Sequence, residues 1–447
     1  MEITSNLLKL ALNLERCHEF TAKKISIDSR STEEGDLFIA IEKGHQFVES
    51  AIKNGAVMAI IDNAKYVISN KTILVENTKF ALKSIGNFIK LKSKLKKIVG
   101  ITGSVGKTTT KSWLNTILNQ KYNSFSSIKN YNTIYGLPIS LSLLEKNIDF
   151  GIFEMGSNKV GEISELSKYL SPCIGVITNI YESHIGKFGN KFNIAKEKIS
   201  VIGGMKEGGA LVFDGDSEFA SMIKYEADLR KIKTFSVGFS DDCDFSIISY
   251  KNSVKLKIPN NFVEYAINAN GKHFVYISAC VLAIIYAMGL DICGFLPFFK
   301  ELSPIEGRGK AELYTHNSKT FTLIDDSYNA SPSSLISSLE AFEVMPYKSK
   351  IVILGQMKEL GDREGDYHKL VSIKLDSMNL FSVFFIGEKK LWDIMDSRKD
   401  VKCFENMSSF VIEEILKEIP SNSAVLLKGS RSVNLNQLID YIKCSTM

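Results

Sequence analysis

The feature that most restricts how this chain can fold is an alternation of two kinds of segment along almost its whole length. Apolar runs of strand length alternate with amphipathic stretches of helical periodicity. This alternation is typical of α/β domains, in which helices cover the faces of a mainly parallel sheet. The 447 residues are enough for roughly two to four such domains, each with its own core.

We divide this pattern into three predicted modules. The second begins at a buried strand, Ile98–Ile101, which leads through a glycine-rich turn into a helix from about Lys107. Residues 243–265 of that module resemble a small antiparallel excursion, and the last part of the chain has a Rossmann-like order of strands and helices. The predicted modules are N-terminal, central with a mainly parallel sheet, and C-terminal Rossmann-like, over residues 1–97, 98–312 and 313–447.

Composition argues against several classes of protein. Hydrophobic residues make up 45% of the chain and charged residues 23%, as in ordinary globular proteins. The net charge of +5 is too small and too scattered to predict nucleic-acid binding, and the densest basic run, residues 90–97, is interpreted as the solvated end of a helix. The seven cysteines show neither metal-ligand nor redox spacing, which fits a reducing compartment.

Residues 274–290 need separate consideration, because this uncharged stretch is about long enough to cross a bilayer. A helix buried between a sheet and other helices would have the same composition, and a lone short span inside an α/β pattern is rare. We therefore predict a buried helix here. The N-terminus lacks the basic region and cleavage site of a signal peptide, and we predict a cytoplasmic protein without a membrane span.

The strongest local motif is the glycine-rich turn between a predicted strand and a predicted helix. Glycines allow a tight turn whose backbone N–H groups point at phosphate oxygens, and the helix N-terminus adds partial positive charge. Lys107 can reach the β- and γ-phosphates of a nucleotide, and the Thr108 hydroxyl can hold Mg²⁺. The predicted nucleotide-binding loop consists of Thr102, Gly103, Ser104, Val105, Gly106, Lys107, Thr108 and Thr109.

One position of this loop departs from the general phosphate-loop pattern, because Ile101 stands where that pattern has its first glycine. The alternative interpretation is a chance glycine turn before a helix. The run Gly106-Lys-Thr-Thr109, placed between a strand and a helix, argues against that alternative. The shorter loop, preceded by threonine, resembles the phosphate loop of the Mur ligase family.

Further blocks extend this resemblance over the whole chain in order. The last three are similar to the branch of the family that adds D-alanyl-D-alanine to UDP-N-acetylmuramoyl-tripeptide. The blocks are Asp28–Arg30 with Glu34–Phe38, Lys129–Asn132 with Gly136–Pro138, Glu154–Gly156 with Gly161–Ile163, Thr178–Ile180 with His184 and Phe188–Gly189, Asp325–Pro332, Leu354–Gly361, and Lys428–Arg431.

The resemblance implies an enzyme with a UDP-substrate module, a central ATP-binding module and a C-terminal module. In the family reaction, ATP phosphorylates the carboxylate of the UDP-linked tripeptide. The amine of D-alanyl-D-alanine then attacks the acyl phosphate, giving a pentapeptide, ADP and phosphate. We expect a monomer that binds these small molecules and no nucleic acid, with an active site in the clefts between the modules.

The resemblance also implies two Mg²⁺ ions, with Thr108, Glu154, His184 and Lys198 as ligands. Glu154 ends a predicted strand, where a loop could direct its carboxylate at a metal, although an ordinary strand-end acid is the alternative. A lone histidine such as His184 is more often structural, but it matches a family ligand. The residues expected to act in catalysis are Lys107, Glu154, His184 and Lys198.

Lys198 belongs, by sequence alone, to a plain charged helix face. The family carries a carbamylated lysine at the matching position, and the resemblance implies a carbamate that orients metal and water near the γ-phosphate. Lys196 is the nearby alternative, and the spacing favours Lys198. Ser200 stands where an acid commonly follows in the family.

Other matched positions imply contacts with the nucleotide and the substrates. The residues expected to face ATP are Arg308, Asp325, Asp326, Tyr328 and Asn329. Asp326 could equally cap a helix or a turn. An arginine is suited to bidentate capture of a carboxylate, which is the expected role of Arg431 toward the dipeptide. The expected substrate-binding residues are Ser29, Arg30, Asn130, Asn132, Lys428, Ser430 and Arg431.

Several positions differ from the family pattern, and they concentrate near the expected adenine site. Phe274 and Ile277 replace two asparagines, so recognition of adenine is the least secure part of the comparison. The remaining departures are Val105, Thr133, Ser331, Gln356 and the shortened run Glu42–His45.

Two other functions stay open at this point. A sister amide ligase of the family would add a single amino acid in place of the dipeptide. A degenerate nucleotide-binding protein or switch would release phosphate without depending on the amine. The phosphate loop and the set Glu154, His184 and Lys198 favour an active ligase.

Overall fold

The computed structural model of the chain describes residues 1–68, 70–128, 130–251, 253–395 and 401–445. In these residues the fold is α/β, and three main sheets follow one another along the sequence. The prediction of an α/β protein of three modules is confirmed, while the exact module boundaries stay predictions. Lys129, the first residue of the predicted substrate block, lies outside the described residues.

The N-terminal module contains a short antiparallel pair and a parallel sheet. Its strands are β1 (Ile3–Thr4), β2 (Thr21–Ala22), β3 (Ile25–Ser26), β4 (Leu37–Ile39), β5 (Met58–Ile61) and β6 (Thr72–Leu74), and its helices are α1 (Ser5–Leu12), α2 (Val48–Lys53) and α3 (Thr78–Lys92). The parallel sheet has the order β3-β4-β5-β6. Helix α3 begins where the Asn77 side chain accepts a hydrogen bond from the backbone N–H of Phe80, at 2.9 Å.

The central module is built on one large, mainly parallel sheet. Its strands are β7 (Lys97–Thr102), β8 (Ser124–Ser126), β9 (Phe150–Glu154), β10 (Ile174–Ile177), β11 (Ala210–Asp214), β12 (Lys233–Gly238), β13 (Phe245–Ser249), β14 (Val254–Ile258) and β15 (Asn261–Tyr265). Its helices are α4 (Lys107–Leu118), α5 (Gly136–Ser142), α6 (Glu162–Leu170), α7 (Ile185–Phe188), α8 (Lys191–Ile199), α9 (Ala220–Asp228) and α10 (Lys272–Ala287). The strand order is β15-β14-β13-β12-β11-β10-β7-β9-β8.

The C-terminal module is a Rossmann-like layer of strands and helices. Its strands are β16 (Lys310–His316), β17 (Lys319–Asp326), β18 (Lys350–Gly355), β19 (Ser382–Ile386), β20 (Val401–Phe404) and β21 (Ser423–Lys428). Its helices are α11 (Pro332–Glu343), α12 (Glu364–Asp376), α13 (Trp392–Met395), α14 (Ser409–Glu418) and α15 (Gln437–Ser445). The strand order is β16-β17-β21-β18-β19-β20, and β16 is antiparallel to β17.

Two sequence predictions can be compared directly with these elements. The apolar stretch 274–290 forms most of α10, whose residues from Ile277 to Ile285 are all buried, so the prediction of a buried helix is confirmed. In the described part of the chain, we find no helix that combines the length and the apolar character needed to cross a bilayer. The excursion at 243–265 is antiparallel between β13, β14 and β15, but β13 runs parallel to β12.

The parallel pairing places several functional candidates at one edge of the central sheet. Thr102 at the end of β7 pairs with Ile177 at the end of β10, and Ile101 pairs with Glu154 at the end of β9. In the C-terminal module, Asp326 at the end of β17 pairs with Lys428 at the end of β21. Ligands of open α/β sheets bind at such carboxyl ends, so these edges are where a site is expected.

The N-terminal module packs on the central one through α3. A Cβ atom on Gly86 would lie 2.8 Å from the Pro138 carbonyl oxygen of α5, so only glycine allows this approach. The Tyr169 hydroxyl donates to the Lys83 carbonyl at 2.8 Å, and the Lys90 ammonium donates to the Tyr169 carbonyl at 2.7 Å. These contacts fix the N-terminal module against the helices that flank the central sheet.

Candidate active site

The predicted phosphate loop forms a tight turn between β7 and α4. Gly103 has φ +140° and Gly106 has φ +83°, conformations that side-chain-bearing residues rarely adopt. A Cβ atom on Gly103 would lie 2.0 Å from the Thr178 hydroxyl oxygen. Both glycines are therefore required by the path of the backbone, and α4 begins at Lys107 directly after the turn.

The segment that follows β10 holds this loop in place. The Asn179 side chain accepts a hydrogen bond from the Val105 N–H at 2.9 Å and donates to the Val105 carbonyl at 3.1 Å. The Ser104 hydroxyl donates to the Tyr181 carbonyl at 2.9 Å. Asn179 lies in one of the matched blocks, but the sequence does not reveal its role, because its contact with the loop depends on the pairing of β10 with β7.

The Lys107 side chain folds back over the phosphate loop that precedes it. Its ammonium donates to the Gly103 carbonyl at 2.8 Å and to the Ser104 carbonyl at 3.1 Å. Burial lowers the pKa of Lys107 below its ordinary value, an effect that the nearby Glu154 carboxylate opposes. The lysine is thus positioned at the turn, where an anion bound by the loop would meet it.

Glu154 is a buried carboxylate with several partners. One carboxylate oxygen accepts a hydrogen bond from the Thr108 hydroxyl at 2.9 Å, and the other accepts from the Asn132 amide at 2.9 Å. Burial by itself would raise the pKa of Glu154, but the charges of Lys107 and Lys111 outweigh it and lower the pKa. The group therefore stays ionised, although only 4% of the residue is exposed.

Lys111 is a residue of this cluster that the sequence analysis missed. Its ammonium lies 3.9 Å from a Glu154 carboxylate oxygen and donates to the Ser127 carbonyl at 2.6 Å. Lys111 follows Lys107 by one turn of α4, so both project from the same helix face. This spacing was the available signal, but it does not reveal that the face is buried against β9.

The oxygen atoms of Glu154 and Thr108 suit a hard cation such as Mg²⁺, which in nucleotide sites takes one or two protein ligands besides phosphate and water. Among the residues that the structure describes, no group of three or more histidine, cysteine and acidic side chains could hold a metal by itself. The donors present thus fit a Mg²⁺ that shares its coordination with a nucleotide. The metal role of each residue stays a prediction.

Lys198 lies on α8 and points into the protein, whereas Lys196 on the same helix is exposed. The Lys198 ammonium donates to the Ser157 hydroxyl at 2.8 Å. Burial, together with the charge of Lys107, lowers the pKa of Lys198 to about 7. An appreciable fraction of this amine is therefore uncharged near neutral pH.

His184 lies at the start of α7, and its Nδ1 atom contacts the Glu359 carboxylate of the C-terminal module. Burial lowers the pKa of His184, an effect that Glu359 opposes and the charge of Lys107 reinforces. The effect of the Lys107 charge on His184 shows that the imidazole lies close to the phosphate loop. Glu359 was quoted only as part of a matched block, and its pairing with His184 could not be foreseen.

The C-terminal residues predicted to face a nucleotide form two groups. In the first, the buried Lys428 ammonium contacts Asp326 at 2.7 Å and donates to the Asn329 carbonyl at 3.2 Å. This ion pair also gives Lys428 a structural role in holding the loop after β17. Asp325 accepts hydrogen bonds from the N–H and the hydroxyl of Ser327, at 3.1 and 2.6 Å. Asp325 thus stabilises a turn, a role that the sequence suggested as an alternative for Asp326.

The second group is a stack of two arginines on Tyr328. The guanidinium of Arg308 lies 4.1 Å from the centre of the Tyr328 ring, and that of Arg431 lies 5.4 Å from it. Beside this stack is a cleft of about 320 Å³ between the central and C-terminal modules. The cleft is lined by Glu182 and His184 from one module and by Glu359, Ser430 and Arg431 from the other.

The other predicted substrate residues are placed differently. Ser29 is buried, and its carbonyl accepts a hydrogen bond from the Asn54 amide at 2.8 Å. Arg30 is exposed on the N-terminal module and pairs with Asp28 at 2.7 Å. Asn130 is exposed, whereas Asn132 reaches Glu154. The structure thus brings Asn132 into the central cluster, and the roles of Ser29, Arg30 and Asn130 stay predictions.

The departures Phe274 and Ile277 are buried core residues on α10. The Phe274 ring stacks on Trp113 of α4, with the ring centres 5.7 Å apart. Ile277 approaches the phosphate loop, because a Cβ atom on Gly106 would lie 3.5 Å from its Cδ1 atom. Ile277 therefore presents an apolar surface beside the loop.

Comparison with known protein families gives two matches. A family model described as "Mur ligase middle domain" matches residues 101–285. A second, described as "Mur ligase, glutamate ligase domain", matches residues 311–431. The first match includes the phosphate loop, Glu154, His184 and Lys198, and the second includes Arg431.

Individual proteins match over nearly the whole chain. The UDP-N-acetylmuramoyl-tripeptide–D-alanyl-D-alanine ligase of Rickettsia prowazekii (strain Madrid E) is 31% identical, covering 98% of this chain and 99% of the relative. A crystal structure of MurF from Acinetobacter baumannii has a TM-score of 0.87 at 24% identity and covers 99% of each chain, which shows a shared fold. The MurF ligase of Thermotoga maritima in complex with ADP has a TM-score of 0.80 at 25% identity, covering 95% of this chain and 98% of the other.

We predict that Gly103→Ala destabilises the protein more than Gly161→Ala. Both glycines have positive φ, but the space around Gly161 is open, whereas a Cβ atom on Gly103 would overlap the Thr178 hydroxyl. Gly161→Ala should lower the free energy of unfolding by about 1 kcal/mol, and Gly103→Ala by on the order of 3 kcal/mol. Chemical denaturation measures both, and equal losses would show that the loop can move aside.

Proposed function

This chain belongs to the Mur ligase family, and we propose that it joins D-alanyl-D-alanine to UDP-N-acetylmuramoyl-tripeptide at the expense of ATP. It is an ATP-dependent ligase that forms an amide bond and releases ADP and phosphate. The product is the UDP-linked pentapeptide precursor of peptidoglycan. The observation that carries the proposal is the near full-length match to ligases of this name, together with a phosphate loop that adjoins an ionised, buried Glu154.

The chemistry requires two anions to approach each other. A carboxylate is a poor electrophile, and transfer of the γ-phosphoryl group gives it a phosphate leaving group. The carboxylate oxygen must therefore attack a phosphoryl group that carries the same sign of charge. Lys107, the loop N–H groups and the N-terminus of α4 supply the positive charge that offsets this repulsion and that stabilises the transition state.

Glu154 and Thr108 are the residues that would hold Mg²⁺, and His184 and Lys198 would complete the metal ligands of two ions. Mg²⁺ bound there would neutralise charge on the β- and γ-phosphates. The hydroxyl of Thr108 and the carboxylate of Glu154 are already within 2.9 Å of each other, so both can face one ion. Asn132 and Lys111 keep the Glu154 carboxylate oriented toward that position.

Lys198 is proposed to act as a carbamate. Its neutral amine would attack CO₂, form an N–C bond and release one proton, which converts a neutral group into an anion. The lowered pKa, about 7, supports this step, because an ammonium cannot react. The adjacent Ser157 hydroxyl at 2.8 Å could donate a hydrogen bond to the carbamate once it forms.

The clefts between the modules are proposed to bind the remaining groups. Arg308, Asp325, Asp326, Tyr328 and Asn329 would contact ATP from the C-terminal side, and Ser29 with Arg30 would contact the uridine nucleotide. Asn130 and Asn132 would contact the sugar-peptide. The dipeptide carboxylate is assigned to Ser430 and Arg431, since the ammonium of Lys428 is taken up by Asp326.

We also propose a monomer that works in the cytoplasm, where ATP and nucleotide-linked precursors are available. The phosphate loop, the expected metal ligands and the cleft are all supplied by one chain, so a partner copy is not needed to complete the site. The proposed modules keep the extents 1–97, 98–312 and 313–447. The first strand of the C-terminal sheet, Lys310–His316, crosses the proposed boundary at 312.

The first test is the complete reaction. We expect the purified protein with ATP, Mg²⁺, UDP-N-acetylmuramoyl-tripeptide and D-alanyl-D-alanine to release phosphate and to form a product with the mass of the pentapeptide. Phosphate should form only when both substrates are present, and chelation of Mg²⁺ should abolish it. Tripeptides ending in lysine and in diaminopimelate should be compared as substrates.

Two outcomes of that assay would contradict the proposal. Turnover with a single amino acid and none with the dipeptide would identify a sister ligase. Phosphate release that is independent of the amine would identify a nucleotide-dependent switch. Glu154→Gln serves as the internal check, because it removes the charge on which the proposed metal site depends.

The carbamate can be tested by ¹³C NMR with labelled bicarbonate. We expect a carbamate resonance in the wild-type protein that is lost in Lys198→Arg and kept in Lys196→Arg, since Lys196 is exposed on the same helix. The resonance should grow between pH 6 and 8, as the amine with a pKa of about 7 loses its proton. Lys198→Ala should lower kcat by about 10–100-fold; a resonance unchanged in Lys198→Arg would exclude this lysine.

Arg431 is expected to set the affinity for the dipeptide. Arg431→Met should raise the KM for D-alanyl-D-alanine by about 10–100-fold, because a charged hydrogen bond contributes about 1.5–3 kcal/mol. The exposed Arg16→Met, on the N-terminal module, is the matched control and should leave the KM unchanged. Since Arg431 also lies over Tyr328, the KM for ATP is measured in parallel. A larger rise in the KM for ATP than for the dipeptide would assign Arg431 to the nucleotide.

A further inference from the structure

The loop between β18 and α12 of the C-terminal module docks on helix α7 of the central module. The carboxylate of Glu359 contacts two side chains there, the imidazole of His184 and the ammonium of Lys187. The backbone joins the contact as well, because the Gly186 N–H donates to the Glu359 carbonyl at 3.1 Å. Glu359 is thus held by the central module through both its side chain and its main chain.

The backbone at this contact has the features of a functional site. His184 has φ +59° and Glu359 has φ +66°, and both are non-glycine residues in the left-handed region. The two segments approach so closely that a Cβ atom on Gly186 would lie 2.7 Å from the Gly361 nitrogen. Such a conformation persists only where the surrounding structure holds it, and here the two modules hold it together.

The contact uses one of the two ring nitrogens of His184. Nδ1 is the ring nitrogen that contacts the Glu359 carboxylate. A proton on Nδ1 would leave the lone pair on Nε2 free for a metal. A histidine ligand whose other nitrogen donates to a carboxylate is fixed in ring orientation and tautomer. The Glu359 carboxylate would therefore orient the imidazole toward a metal bound at Nε2.

We propose that Glu359 is a positioning residue. It reaches the central module when the C-terminal module docks there, and it orients His184 as a metal ligand. This inference rests on the proposed function, in which His184 binds Mg²⁺. It makes the metal site depend on the docked arrangement of the two modules. Glu359 also lines the cleft assigned to the dipeptide, so the same carboxylate joins the acceptor side to the metal side.

The test measures metal binding apart from turnover. Mn²⁺ replaces Mg²⁺, a non-hydrolysable ATP analogue replaces ATP, and electron paramagnetic resonance reports the Mn²⁺ that is bound. We expect Glu359→Gln to weaken Mn²⁺ binding by about 10-fold or more. In a His184→Ala background, the same substitution should cause no further loss, because Glu359 would have no ligand left to orient.

Two control variants separate orientation of the ligand from docking of the modules. Lys187→Met removes the second partner of Glu359 and leaves His184 in place, so it should weaken Mn²⁺ binding much less than Glu359→Gln. Glu414→Gln removes a surface carboxylate that pairs with Lys417 of the C-terminal module at 2.7 Å, and should have no effect. Thermal unfolding of each variant verifies that it folds.

Unchanged Mn²⁺ binding in Glu359→Gln, or equal losses in Glu359→Gln and Lys187→Met, would overturn the inference. So would an additional loss in the His184→Ala background, which would show that Glu359 acts without His184. Failure of the proposed function is recognised separately, because it would appear as a wild-type protein that forms no pentapeptide. The Mn²⁺ measurement requires no turnover and remains interpretable in either case.

Discussion

The buried carboxylate of Glu154 is the group on which the arrangement of the central site depends. A buried charge is stable only with good partners, and removal of one partner of a buried ion pair costs about 3–5 kcal/mol. Here the partners come from different segments: Lys107 and Lys111 from α4, and Asn132 from the loop before α5. The phosphate loop, the end of β9 and the substrate block are therefore mutually dependent. Ligand-binding geometry and local stability arise from the same contacts.

The second constraint is that the site is divided between modules. The central module supplies the phosphate loop, and the C-terminal module supplies the stack of arginines on Tyr328. Polar contacts join the two sides at the cleft: Glu182 accepts from the Ser333 hydroxyl at 3.1 Å, and Glu359 contacts His184 and Lys187. In a reaction that must exclude water and then release a large product, polar contacts of this kind can form and break as the modules close and open.

The sequence predicted most where a single segment determines the structure. The uncharged apolar run of α10 and the glycines of the phosphate loop specify local structure, and Lys198 could be preferred over Lys196 by spacing. Strand β16 (Lys310–His316) was missed, because its alternating half-exposed residues include Lys310, Glu312 and His316 and lack an apolar run. No roles were assigned to Glu359, Lys111 and Asn179, because each role depends on contact with a residue on another strand or module. Pairing across the sheet and docking of modules are not encoded in local periodicity.

The charges of the site suggest why a lysine would occupy the position of Lys198. Burial lowers the pKa of Lys198, and the charge of the nearby Lys107 lowers it further, so a second ammonium is disfavoured at this position. A permanent anion such as glutamate at this position would remain buried whether or not metal is present, at a large cost in desolvation. A lysine can instead stay neutral in the empty site and become an anion by reaction with CO₂ when a metal can share the charge. The buried, hydrogen-bonded amine beside Ser157 thus fits a ligand whose charge is acquired only when it is needed.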